Sequence, residues 1–180
     1  MLTKSSVCLA VSKAWKRFLE ASHDLWTVLD LRSARRYIRL ESLKANLRRS
    51  NYRLETAILT ANPVIFNGSN IEVLSRLSPK LNRLEISYAG YFGDSLLAAL
   101  PNTRNLRVLK ISGAKMSLFS VVKALSLCPQ LQRAEINAVM LPQTNPGITW
   151  PQLNSLTSLR LEFQGDRLAT TLNLVCTYYS

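Results

Sequence analysis

Histidine is all but missing from this chain: His23 stands alone among 180 residues. Three cysteines, Cys8, Cys128 and Cys176, lie far apart in apolar surroundings. Together they offer no ligand spacing for a metal site and no base beside a nucleophile, so neither a metal, a cofactor nor an enzyme activity is expected. The cysteines read as small core residues of a reducing compartment, not as a disulfide framework. Glycine is scarce, and Gly90-Tyr91-Phe92-Gly93 lacks both the spacing and the following Lys-Ser/Thr of a phosphate loop. No apolar run approaches the roughly 18 residues of a membrane span. The short stretch Val7 to Val11 falls below the roughly 7 to 15 apolar residues of a signal peptide and runs at once toward Lys13. An intracellular protein, nuclear or cytoplasmic, with no membrane contact is the expectation.

Acidic residues are also few. Lys and Arg number 23 against 11 Asp and Glu, a net charge of +12. Residues 1–53 hold 12 basic against 4 acidic side chains, so two-thirds of the excess lies in the first third. A basic end suits nucleic acid, an acidic protein or an anionic surface, but a solvated helix face gives the same composition.

What the chain has in abundance is leucine at fixed intervals. Leu81-x-x-Leu84-x-Ile86 recurs as Leu106-x-x-Leu109-x-Ile111, Leu131-x-x-Ala134-x-Ile136 and Leu156-x-x-Leu159-x-Leu161, each start 25 residues after the last. Fainter copies begin at Leu54 and Trp26, the latter as Trp26-x-x-Leu29-x-Leu31. A period in the mid-twenties with this core resembles the leucine-rich repeat, one short strand and a return segment per unit. The expected fold is α/β: a repeat solenoid of about six parallel strands with helical or irregular returns. Leu29, Ala57, Leu84, Leu109, Ala134 and Leu159 should point inward.

The connecting segments fit that frame. Apolar residues at three- and four-residue steps predict an amphipathic helix over residues 6–21, with Val11, Trp15 and Phe18 on one face. Residues 25–31 alternate like a strand. Ser33 is placed to cap a helix reaching Arg49, with Tyr37, Leu40, Leu43 and Leu47 inside, Arg35 and Arg49 on the far side, and Arg39 and Lys44 flanking. Shorter helices are predicted over 69–77, 94–100 and 117–127, with Asp94 and Ser117 as caps. Pro79, Pro101, Pro129 and Pro151 end the returns, since proline disfavours helix in the residue before it. Residues 141–151 carry three prolines and should form an irregular return, with Trp150 packed on the core. Residues 166–179 look helical. With no polar capping element after Tyr179, the array is expected to continue past residue 180.

Ahead of the array, Val11-Ser12-Lys13-Ala14-Trp15-Lys16-Arg17-Phe18-Leu19, followed by Asp24-Leu25-Trp26-Thr27-Val28-Leu29-Asp30-Leu31, resembles the second half of an F-box. The chain is similar to F-box/leucine-rich-repeat proteins, in particular to a fungal branch that also carries tetratricopeptide repeats. The resemblance divides it into a helical head over residues 1–25 and an array over 26–180. It implies substrate recognition within a Skp-cullin-F-box ubiquitin ligase, the head docking on a Skp-type adaptor and the repeats holding a protein target. Val11, Trp15, Leu25 and Trp26 match the head and serve either adaptor contact or packing onto the first repeat. The Leu-Pro helix that opens a full F-box has no counterpart here, so adaptor binding by this chain should be weak or absent.

The exposed strand positions form two rows. The fifth motif positions read Asp30, Ile58, Glu85, Lys110, Glu135, Arg160, alternating in sign over the last four. The third read Val28, Thr56, Arg83, Val108, Arg133, Ser158, with two arginines that no carboxylate in the row opposes. Arg83, Arg133, Lys110 and Arg160 are the candidate partner surface. Arg35, Arg36, Arg39, Arg48 and Arg49 are a candidate basic patch, expected to bind nucleic acid only without sequence preference because no aromatic row accompanies them. A stand-alone scaffold or nucleic-acid-associated protein is the alternative to the ligase role.

Overall fold

The computed structural model describes residues 13–34, 38–60, 68–87, 93–113, 116–140, 149–164 and 170–175. In chain order these form α1 (Lys13–Ala21), a 3-10 turn (His23–Trp26), β1 (Val28–Asp30), α2 (Leu40–Arg49), β2 (Thr56–Thr60) and α3 (Gly68–Leu77). There follow β3 (Arg83–Ser87), α4 (Gly93–Ala99), a 3-10 turn (Leu100–Asn102), β4 (Val108–Ser112), β5 (Met116–Ser117) and α5 (Leu118–Ser126). The chain closes on β6 (Arg133–Met140), β7 (Ser158–Gln164) and β8 (Thr170–Val175). The fold is α/β, built on one eight-stranded sheet in the order β1-β2-β3-β4-β6-β7-β8, with β5 paired to β6.

The motif spacing, 28 and 27 residues between the first units and 25 thereafter, is the register of that sheet. Leu29 pairs with Ala57, Ala57 with Leu84, Leu84 with Leu109, Leu109 with Ala134 and Ala134 with Leu159, all in parallel. These six residues are buried, as expected, and so are the motif starts Trp26, Leu54, Leu81, Leu106, Leu131 and Leu156. The row two residues further on, Leu59, Ile86, Ile111, Ile136 and Leu161, is buried too. All of them except Trp26 form one continuous core with Leu43 and Leu47 of α2, Ile71 and Leu74 of α3, Leu96 of α4, and Val121 and Leu125 of α5. Because side chains alternate along a strand, the intervening positions are left on the opposite, open face.

Backbone hydrogen bonds repeat with the same period. The carbonyl at the second motif position accepts two N–H groups from the next unit: Thr27 from Glu55 and Thr56, Glu55 from Asn82 and Arg83, Asn82 from Arg107 and Val108. Arg107 and Gln132 carry the series on to Ser158. β3, β4, β6 and β7 are each entered through a tight turn in which the leucine N–H bonds back three residues, to the carbonyls of Ser78, Thr103, Cys128 and Leu153. The first three of these positions are fully buried, so a small side chain is needed there. Ser117 caps α5, accepting from the Ser120 N–H at 3.1 Å. Asp94 lies within the first turn of α4, not before it.

Several expectations are corrected. α2 starts at Leu40, not Ser33. The Asp30 carboxylate bonds the Arg32 N–H, and the Ala34 N–H bonds the Leu31 carbonyl, so the chain turns there. Asn70 of α3 then donates to the Ile38 carbonyl at 3.2 Å, engaging it outside the helix. Trp150 is exposed, not packed on the core. Residues 170–175 are not helical: they form β8, antiparallel to β7, with Leu172 opposite Leu161 and Leu174 opposite Leu159. β8 thereby covers the edge of β7 that a further parallel strand would otherwise occupy. The short β5 also adds to the expected six strands, joining β6 where a bulge between Asn137 and Val139 shifts the register.

Candidate functional site

The open face of the sheet carries the charges that the two rows foretell. Arg83, Lys110, Arg133 and Arg160, the four residues of the candidate partner surface, line one groove of about 390 Å³ with Glu85, Glu135, Val108 and Ser158. Register sets this convergence: Arg83, Val108, Arg133 and Ser158 are successive partners, as are Glu85, Lys110, Glu135 and Arg160.

The charges are unevenly satisfied. Arg83 is bound by Glu85 two residues along its own strand, its Nε donating to Oε1 at 2.7 Å, so Arg83 is not the unopposed arginine its row suggests. Lys110, in register with Glu85 on one side and Glu135 on the other, pairs with Glu135 at 2.9 Å; Arg160 approaches the same carboxylate at 4.0 Å. One carboxylate thus serves two cations. Arg133 is exposed and has no hydrogen bond or ion pair among the described residues. Four cations against two carboxylates leave the lining at +2, suited to an anionic ligand. Exposed pairs of this kind contribute only about 0 to 1 kcal/mol to stability, so the fold does not depend on keeping them closed.

The head is the second region. Trp26 is 7% exposed; its indole N–H donates to the Leu19 carbonyl at 2.8 Å, tying α1 to the first strand unit. The Arg49 guanidinium lies 5.3 Å over the Trp26 ring, so Arg49 is not on the far side of α2. His23 is half-buried, its Nδ1 2.7 Å from the Arg49 carbonyl, where it satisfies one of the orphan acceptors at the end of α2. This bond spans 26 residues and leaves no local signal in the sequence.

Trp15 and Trp26 are not buried together. Trp15 is 54% exposed and stacks edge-on with Phe18, itself exposed, at 5.6 Å. Leu25 is 52% exposed, and Val28 is exposed as well. The head therefore splits: Trp26 packs inward, while Trp15, Phe18 and Leu25 remain on the surface. Val11 lies outside the described residues, as do Arg35, Arg36 and Tyr37. Of the candidate basic patch, Arg39 and Arg48 are exposed, whereas Arg49 is half-buried against Trp26 and also bonds Asn46 at 3.2 Å.

Cys128 is buried, and burial pushes its thiol up to about 11 against a smaller opposing effect of the Thr103 hydrogen bond. It is a packing residue, as expected; Cys8 and Cys176 lie outside the described residues. Among the described residues no group of three or more His, Cys, Asp or Glu side chains could hold a metal ion, and no helix is long and apolar enough to cross a membrane.

No protein-family model and no curated protein matches this chain.

Proposed function

We propose that the chain is a leucine-rich-repeat solenoid of the F-box class and acts as the target-recognition part of a Skp-cullin-F-box ubiquitin ligase. Its work is binding, not catalysis. Six parallel strand units whose motif positions stay in register, four of them entered by the same turn, support the solenoid reading. The observation that carries the ligase role is the division of labour in the head. Trp26 anchors it rigidly to the array, while Trp15, Phe18 and Leu25 stand exposed beside that anchor. Exposed large apolar side chains grouped on a fixed element suit a protein partner, here a Skp-type adaptor. The open sheet face, on the other side of the core from the helices, is left for an unknown protein target.

The residues that resemble an F-box cover only its second half, so the contact they make is small and adaptor affinity weak. The test is capture of a purified Skp-type adaptor by this chain and by a version preceded by a complete Leu-Pro F-box helix. Strong capture by the longer version and weak capture by the shorter is the expected result. Equal capture by both, or none by either, contradicts the proposal.

A further inference from the structure

The cations of the groove come in pairs two strands apart. Arg83 on β3 and Arg133 on β6 flank β4; Lys110 on β4 and Arg160 on β7 flank β6. Neighbouring strands lie about 4.8 Å apart, so each pair spans about 9.6 Å across the sheet. In the third-position row Arg133 sits between Val108 and Ser158, neither of which can neutralise it. Glu85 occupies Nε and Nη2 of Arg83, which leaves the Nη1 donors unused by that carboxylate. The row thus offers two guanidinium groups, one free and one half-engaged, separated by a neutral half-buried valine.

That distance selects a backbone. A polyproline II segment turns once every three residues with a rise of about 3.1 Å, placing side chains i and i+3 on one side about 9.3 Å apart. A β-extended segment repeats a side every two residues, at about 6.8 or 13.6 Å, and matches neither. An α-helix reaches about 10.5 Å only at i and i+7, on a cylinder about 10 to 12 Å wide. That is further from the strand-pair spacing than the polyproline II repeat.

We infer that the groove binds an acidic segment of a protein target in polyproline II conformation, crossing the strands, with carboxylates at i and i+3 on Arg133 and Arg83. This rests on the open face being the target-binding surface and names the kind of target it takes. Arg133 supplies the bidentate contact that no internal carboxylate uses, and Val108 gives the intervening residues an apolar floor. Lys110 and Arg160 share the one carboxylate of Glu135, so that cluster keeps a charge of +1 and steers the acidic segment in.

The probes are fluorescein-labelled proline-rich peptides carrying two glutamates three residues apart, two residues apart, or replaced by glutamine, titrated with this chain by fluorescence anisotropy. The three-residue spacing should bind at least about fivefold tighter than the two-residue spacing, and both should weaken with salt. Arg133→Ala should lower affinity about threefold to tenfold and Arg133→Glu more, with no change in the melt because the side chain is exposed. Equal binding of the two spacings, unchanged affinity in Arg133→Glu, or no saturable binding overturns the inference. So does an oligonucleotide that binds the same Arg133-dependent site more tightly. Adaptor capture on the same preparations separates the two levels. Capture without peptide binding sinks this inference alone, and peptide binding without capture by either version sinks the ligase role alone.

Discussion

Trp26→Ala is the perturbation that the head-to-array junction makes most informative. The side chain is almost fully buried, donates to the Leu19 carbonyl at 2.8 Å, lies under the Arg49 guanidinium, and borders a small apolar cavity with Leu29, Leu47 and Leu54. Truncating a buried tryptophan costs about 3 to 5 kcal/mol. The site is at the end of the array, where water and α1 can move in, so the low end, about 3 kcal/mol, applies. For a domain of this size that is a fall in Tm of roughly 6 to 12 °C. Trp26→Phe keeps most of the volume and removes the N–H, isolating about 1 kcal/mol for the hydrogen bond. Trp15→Ala is the control: half-exposed and in edge-on contact with Phe18, it should cost no more than about 1 kcal/mol. Urea unfolding followed by tryptophan fluorescence and circular dichroism gives all three values. If Trp15→Ala destabilises as much as Trp26→Ala, the head does not divide into an inward anchor and an outward surface.

Two further outcomes concern single groups. The Arg32 guanidinium, hydrogen-bonded to Asp30, holds that carboxyl below its usual value, and the contribution is present above the ordinary pKa of 3.8 and lost as pH falls through the lower folded value. With the pair largely in solvent, Asp30→Asn should cost less than about 1 kcal/mol at pH 7, and the difference from wild type should begin to shrink below pH 3.8 and vanish once the pH is below the lower folded value. A difference that persists in acid would place the effect elsewhere. Cys128, buried and with its thiol pushed up to about 11, should resist iodoacetamide at pH 8 in the native protein and react fully in denaturant. Peptide mapping of alkylated protein reads this directly; native labelling would mean the position is not packed.

The strand register was legible to the residue because the leucines that report it face a core repeated every 25 positions, and burial leaves them little choice. Helical spacing carried less information at the head. Trp15 and Phe18 fall on one face as core residues would, yet apolar periodicity reports only which side chains lie together, not whether anything covers them. The long helix expected from Ser33 failed for a local reason: the side chain of Asp30 holds Arg32 in a turn, a competition that leucine spacing does not reveal. At the far end the signal was present and misread. Thr171, Leu172, Asn173 and Leu174 alternate with period two, as the antiparallel β8 requires. The groove lay between these extremes. Its four cations follow from the row positions, but the partition of two carboxylates among them depends on side-chain reach, and so Arg83 looked unopposed where Glu85 in fact binds it.

The ligase role is tested most directly by titrating a purified Skp-type adaptor into the chain extended to a complete F-box, as wild type and as Leu25→Asp. Leu25 is half-exposed, so the substitution should leave the melt unchanged. The account predicts binding at about micromolar affinity or tighter for the wild type and a loss of at least about tenfold for the variant. No heat of binding, or equal affinity for the two, would contradict it.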